Sequence, residues 1–423
     1  MTFYAAEQFD SDEEDILRRY FTNLDQPVFA LVNLPEVVKG ALFARYSRSA
    51  KSLRRLFLDE FVGELDISGD ETIDATVGLK RAEELYDLVF FEYGDDSVAQ
   101  LGGVHLACEQ ASNLLTKVLE WGRLMSYLEQ STRYISYNTR LDGRYRYYRD
   151  PEVMASPLAT RYIADMDYLF DTYSNLVETM REYFTNAVPK TESDSDFAYL
   201  QAIKAKALDS VRGVLPAASL SNVGIYGSGQ AYESLLLRMR SHPLPEAREY
   251  AEMILSELRK VIPSFLKRVD MPDRGQQTSD YMSDTRERLT DLSEHYFPKT
   301  KTPLPHPTVD LTDYDPDAEV KLIASSLYPH TDRSDRDVED RVRRMTTEER
   351  ITVLKALEGD RENRRHRPGR ALERPSYRFD ILADYGAFRD LQRHRMMTIE
   401  WQKLSPYHGF VSPDELQDAG TSS

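Results

Sequence analysis

Three observations predict an α/β fold built from two unequal copies of one unit. Apolar side chains alternate over Val104-His105-Leu106-Ala107-Cys108 as on a half-buried strand, and Ser112 then offers an N-cap for a helix carrying Leu115, Val118 and Leu119 on one face. The same order returns near the other end of the chain, where Tyr377, Phe379 and Ile381 alternate and Leu382, Tyr385, Phe388 and Leu391 follow at helical spacing. A repeated strand-helix order is a mark of duplication. Between the two copies runs the clearest amphipathic helix, with Ile163, Met166, Phe170, Tyr173, Val177, Met180 and Phe184 at steps of three and four and Pro189 closing it; all seven are expected in the core.

The remaining elements follow from local signals. Residues 35–61 read as helical from Pro35 onward. A polar break over Thr191–Asp196 precedes a helix through Leu200, Ile203, Leu208 and Val211, ended by Pro216. Gly224-Ile225-Tyr226-Gly227-Ser228-Gly229 lacks the following Lys-Ser/Thr of a phosphate loop. From about Met271 the chain turns polar, and Pro303, Pro305, Pro307 and Pro316 favour an extended linker. The expected organisation is an acidic segment (1–26), a first domain (27–270), a linker (271–318) and a partial second domain (319–423).

Composition narrows the function. The 423 residues carry a formal charge of −17, which argues against a general nucleic-acid binder, so no nucleic acid is expected as a partner. One segment departs from this balance: Arg133, Arg140, Arg144, Arg146 and Arg149 interleave with Tyr134, Tyr137, Tyr145, Tyr147 and Tyr148. It reads either as a clamp that stacks nucleotides or as a twisted hairpin with a solvated face. No stretch is long and apolar enough to span a membrane, and the acidic start Asp10–Asp15 is unlike a signal peptide, so a soluble cytoplasmic protein is expected. The single cysteine, Cys108, excludes an internal disulfide and a multi-cysteine metal site, and no metal site is assigned. Cys108 lies in the apolar strand without cationic neighbours in sequence, so packing is expected of it.

The chemistry sits at the ends of the two predicted helices. Arg393-His394-Arg395 is a planar cationic cluster suited to an anionic or electron-rich aromatic ligand. The segment Trp121-Gly122-Arg123-Leu124-Met125-Ser126-Tyr127-Leu128-Glu129-Gln130-Ser131-Thr132-Arg133-Tyr134 has Arg, Met and a hydroxyl where Arg395, Met397 and Thr398 stand in the second. Together they resemble the signature of the flavin-dependent thymidylate synthases: Arg-His-Arg, two residues, Ser, two residues, Glu, one residue, Ser, one residue, Arg-Tyr. The first copy keeps Arg123, Ser126, Glu129, Ser131, Arg133 and Tyr134 but has Trp121 and Gly122 for Arg and His. The second keeps Arg393, His394 and Arg395, has Thr398 for Ser, then departs with Trp401, Lys403, Ser405 and Pro406. Flanking matches extend the resemblance over residues 27–270: Tyr93–Leu101, with Asp95 and Leu101 for the family's two histidines, then Val211-Arg212-Gly213-Val214-Leu215-Pro216, Ser234–His242 and Ala247–Ala251. The second copy ends too soon after Arg395 for counterparts of Arg212 and Arg238.

The resemblance implies a mixed sheet with flanking helices, and methylation of dUMP to dTMP using FAD, methylenetetrahydrofolate and NADPH without a covalent side-chain intermediate. It implies that Arg212 and Arg238 are the catalytic pair, and that Arg123, Glu129, Ser131, Arg133, Tyr134, Arg212 and Arg238 bind the substrate. Arg393, His394, Arg395 and Thr398 would meet the flavin, with His242 and His366 nearby, although His366 in Arg365-His366-Arg367-Pro368 reads equally as a solvated basic loop. Glycines at Gly224–Gly229, where the family has an asparagine that contacts flavin, set the first copy apart. In the family the site is assembled from several subunits, so a homo-oligomer is expected, and a tandem chain could divide the work between unlike halves. The alternative is a nucleotide-binding or scaffold relative that has lost flavin chemistry.

Overall fold

The computed structural model describes residues 4–34, 38–39, 42–43, 46–60, 103–192, 195–298 and 308–421. Two compact units emerge, one of Met1–Thr300 with Phe388–Ser423 and the other of Lys301–Ala387. The segment carrying Arg393-His394-Arg395 thus folds with the first unit, whereas the expected division placed it in a second domain.

Among the described residues the first unit is organised on four strands, β1 (Val28–Leu31), β2 (Gly103–Ser112), β3 (Met125–Glu129) and β4 (Leu220–Ser228), in the order β1-β2-β4-β3. Among the described residues every pairing is antiparallel, where the resemblance implies a mixed sheet. The alternation read at Val104–Cys108 has its cause here. Val104, Leu106 and Cys108 join Val223 and Ile225 in a core under the helices Gly229–Arg240 and Pro245–Arg259. Ala107 turns to the other face, where Phe29 and Leu31 of β1 pack with Phe43, Leu53 and Phe57. Leu17, Phe21 and Leu24 enter that second core, so the acidic N-terminal stretch packs on the sheet.

A bulge interrupts β2 between Cys108 and Ala111, with Gln110 at φ 55°. There the buried Glu109 carboxylate accepts from Tyr4 Oη (2.8 Å), Tyr46 Oη (3.1 Å) and Leu53 N (2.9 Å). Arg54 lies 3.9 Å from the same carboxylate and stacks over Phe29 at 3.7 Å, so the buried charge is paired and hydrogen-bonded. Past the bulge, Ser112 Oγ accepts from Leu115 N and starts the helix Asn113–Leu119, as its side chain predicted. Leu115, Val118 and Leu119 are buried. Ser112 is itself gripped by the buried Glu246, whose carboxyl accepts from Ser112 N at 2.8 Å and Ser112 Oγ at 2.5 Å.

The amphipathic pattern forms the helix Ala159–Ala187, packed on Asp196–Val211. Phe170, Tyr173, Val177, Met180 and Phe184 are buried as expected, but Ile163 is 38% exposed and Met166 only partly covered. The expected helix over 35–61 is broken by a turn at 47–52 before a helix resumes at Leu53–Glu60; Pro35 lies outside the described residues. The span 271–318 is not extended throughout, because Gln277–Tyr296 is an α-helix. The helix contains no proline, and Pro303, Pro305 and Pro307 lie outside the described residues.

In the second unit β5 (Val309–Tyr314) pairs antiparallel with β6 (Tyr377–Ile381), the strand read from Tyr377, Phe379 and Ile381. A small core of Val320, Ile323, Ala324, Val338 and Val342 joins the helices Ala318–Leu327 and Asp335–Arg343. No helix among the described residues is long and apolar enough to cross a membrane.

Candidate functional site

The helix Asn113–Leu119, the turn after it and β3 together display the first motif. Lys117, Glu120 and Glu129 are buried at its base, with Lys117 Nζ 2.9 Å from Glu120 and 3.3 Å from Glu129. One cation for two buried carboxylates is an incomplete balance. The helix Tyr385–Gln392 and the residues after it complete it: Arg389 lies 3.0 Å from Glu129, and Arg393 lies 3.4 Å from both Glu120 and Glu129. Gln392 Nε2 donates to the carbonyl of Lys117 at 2.8 Å. Burial pushes both carboxyls toward the neutral form. At Glu129, Lys117, Arg389 and Arg393 more than offset it and hold the pKa below its usual value, whereas at Glu120 burial and the neighbouring Glu129 prevail and raise it. Glu129 therefore anchors the second motif segment to the first. It is not turned outward toward a substrate.

Above this base the segments touch again. Arg123 Nη2 donates to Thr398 Oγ1 at 3.0 Å, and Trp121 packs on Trp401 with ring centroids 4.6 Å apart. Trp121 also faces the Arg238 guanidinium at 5.4 Å, and the Arg395 guanidinium lies 5.9 Å from the Tyr127 ring. Gly122 is explained by Tyr127, whose hydroxyl donates to Gly122 O at 3.1 Å and would stand 2.6 Å from a Cβ added there. The histidine expected at this position cannot fit without displacing that ring. Burial pushes the Tyr127 pKa up to about 12, so it remains a donor. Arg238 Nε is buried without a hydrogen-bond partner among the described residues, and burial lowers the guanidinium pKa. His394 is exposed.

Arg133 and Arg212 form a second group. Both reach the carboxylate of Asp209, at 2.9 Å and 3.1 Å. The turn that presents Arg133 is closed by Arg133 N and Tyr134 N donating to Ser131 Oγ and Ser131 O. Tyr134 is exposed, with the Arg48 guanidinium 5.9 Å from its ring. The Arg/Tyr segment that follows turns inward. Arg146, Arg140 and Arg149 lie over Tyr137, Tyr145 and Tyr147 at 4.3, 4.3 and 4.0 Å, and these rings belong to the core of the Ala159–Ala187 helix. The stacking capacity is used within the chain.

The two histidines serve local structure. His242 Nδ1 accepts from Leu244 N at 3.1 Å, and burial, with Arg286 and Arg248 beside it, lowers its pKa to about 4. His366 lies exposed in the Lys301–Ala387 unit, its Nδ1 accepting from Glu362 N. Tyr93–Leu101 lies outside the described residues. Lys117, Glu120, Asp209, Tyr127, Arg389 and Gln392 were not anticipated. One signal was available, since Lys117 stands as far ahead of Trp121 as Arg389 stands ahead of Arg393.

Cys108 is fully buried, and burial, with Glu109 second, pushes its thiol well above the usual range. Cys108→Ser is expected to lower stability by about 1–3 kcal/mol, the cost of an unsatisfied buried hydroxyl, as a urea titration would show. A folded variant of unchanged stability would mean that Cys108 is not a packing residue.

Known proteins supply relatives and a family for this chain. A UPF0159 protein of Chlamydia muridarum (strain MoPn / Nigg) is 42% identical over 414 residues, covering 97% of this chain and 78% of that protein. One from Chlamydia pneumoniae is 42% identical over 417 residues, with the same coverage of 97% and 78%. A UPF0159 protein of Thermoplasma acidophilum is 29% identical over 400 residues, covering 89% of this chain and 75% of that protein. A family model described as thymidylate synthase complementing protein matches residues 43–264, the span that holds Arg123, Glu129, Arg133, Arg212 and Arg238. The chain belongs to the thymidylate synthase complementing protein family.

Proposed function

We propose that this chain is a flavin-dependent thymidylate synthase, which methylates dUMP at carbon 5 with methylenetetrahydrofolate as carbon donor and NADPH as the source of electrons. The observation that carries this reading is the docking of Arg393-His394-Arg395 on the first motif, where Arg395 and Arg238 come to the same tyrosine, Tyr127. Two cations, the exposed Trp121, the half-buried Tyr127 ring and an unpartnered buried Arg238 Nε are a donor set for an anionic ligand with a planar ring. The residues therefore fit a flavin nucleotide or a uridine nucleotide.

FAD, when bound, supplies the two-electron transfer that no side chain can perform. The chain's own residues bind and orient. Arg395, His394 and Thr398 would hold the cofactor, Arg238 the uracil or phosphate oxygens of dUMP, and Glu129 would act as a positioning residue that keeps Arg389 and Arg393, and with them His394, in place. Arg133 and Arg212 can exchange the Asp209 carboxylate for a substrate phosphate, a swap between two charge-assisted contacts. A cytoplasmic homo-oligomer belongs to the same reading. The second reading, a nucleotide-binding relative without flavin chemistry, is favoured by Trp121 and Gly122 at the signature's Arg and His positions.

Two measurements separate them. The purified protein supplied with FAD should be yellow and show flavin absorption; protein that never binds FAD leaves the second reading. Arg238→Ala should weaken dUMP binding in calorimetry by on the order of 1.5–3 kcal/mol, roughly tenfold to a hundredfold. Unchanged dUMP affinity in Arg238→Ala would remove Arg238 from the substrate site.

A further inference from the structure

The two motif segments meet as unlike halves, and the contacts run between corresponding positions. Trp121 and Arg393 occupy the first position of the signature, and Glu129 and Trp401 occupy its Glu position. Lys117 and Arg389 stand four residues ahead of the first position, and Glu120 and Gln392 one residue ahead. Arg393 of the second segment reaches Glu129 of the first at 3.4 Å. At the reciprocal pair Trp121 of the first segment meets Trp401 of the second, ring centroids 4.6 Å apart, and Phe388 packs against the other indole at 5.1 Å. One end of the contact is an ion pair and the equivalent end is an aromatic pair.

Charge is sorted in the same sense. The first segment holds both buried acids, Glu120 and Glu129, while the second has Gln392 and Trp401 at those positions and adds Arg389 and Arg393. Two first segments placed together would set Trp121 against Glu129 and leave the buried carboxylates only their lysines. Two second segments would set Arg389 and Arg393 against Gln392 and Trp401, with no acid within the pairing. The first match leaves buried charge unpaired and the second sets arginines together without an acid, penalties that reject a wrong partner as effectively as good contacts select the right one.

We propose that the first and Glu positions of the two signatures form a pairing code, by which each motif segment of this chain accepts the unlike segment and rejects its own kind. The inference rests on reading the chain as two motif copies, and it assigns Trp121 and Trp401 a recognition role in place of the chemistry their positions carry in the signature.

A mutant cycle in the full-length chain tests it. Trp121→Arg sets a second guanidinium beside Arg238, and Trp401→Glu sets a carboxylate against an indole; each is expected to lower the melting temperature by about 3 °C or more. The double variant W121R/W401E rebuilds at this end the ion pair found at the other, and should regain at least half of the summed loss. Additive losses overturn the code, as does a double variant that fails to fold like the single ones. The readout needs neither cofactor nor turnover, so an intact cycle with no dUMP or FAD binding would remove the functional reading alone, and a failed cycle with both bound would remove the code alone.

Discussion

Glu129→Ala should be the most damaging single substitution in the site, lowering stability by about 3–5 kcal/mol. The carboxylate is buried and is met by Lys117, Arg389 and Arg393, so its removal leaves three cations facing each other with only Glu120 between them. Glu120 is a poor substitute, since burial already biases it toward its neutral form. The second motif segment is expected to detach before the sheet unfolds, because Arg389 and Arg393 hold it in place. Urea titration gives the magnitude, and hydrogen exchange over residues 388–398 gives the location. A loss below about 1 kcal/mol, or unchanged protection in that segment, would mean that Glu129 is not the anchor.

Glu246 should make stability fall as pH rises through the mildly acidic range. Burial pushes its pKa up from the ordinary 4.5 to about 7, with the two hydrogen bonds from Ser112 opposing and Glu249 and Asp150 adding to the rise. Between these values the unfolded chain has released the proton and the folded chain still holds it. The contribution is therefore complete below about pH 4.5 and is lost as pH climbs to about 7. At about 1.4 kcal/mol per pKa unit the loss is on the order of 3 kcal/mol. Glu246→Gln should flatten this part of the profile, and a variant whose melting temperature follows the wild-type curve from pH 4.5 to 7 would refute the assignment.

What the sequence disclosed and what it withheld divide along a physical line. The strand at Val104–Cys108, the Ser112 cap and the helix Tyr385–Gln392 were legible because alternation, capping and helical spacing are set by neighbours in sequence. Ile163 was misplaced because periodicity tells which residues share a face, and not how much of that face a partner covers. The polarity of Gln277–Tyr296 points to an extended segment; among its residues only Ser279 is buried, so no apolar stripe announces the helix. Strand direction depends on pairings between distant segments, such as β2 with β4, for which no local residue carries a sign. In the site the motif letters located Arg123, Glu129 and Arg393. That Glu129 would turn to Arg389, or that Arg133 and Arg212 would share Asp209, depends on contacts across 260 and 76 residues.

The Trp121–Trp401 contact also makes the molecule its own spectroscopic gauge. The chain has two tryptophans, and they are these two, with ring centroids 4.6 Å apart and planes inclined at 48°. Indole chromophores this close and neither parallel nor perpendicular couple their electronic transitions, giving a paired circular-dichroism band that one isolated indole lacks. Emission excited at the red edge, where tyrosine does not absorb, reports the same pair. A ligand that tightens, loosens or enters the junction of the two segments can thus be followed in unlabelled protein by light alone.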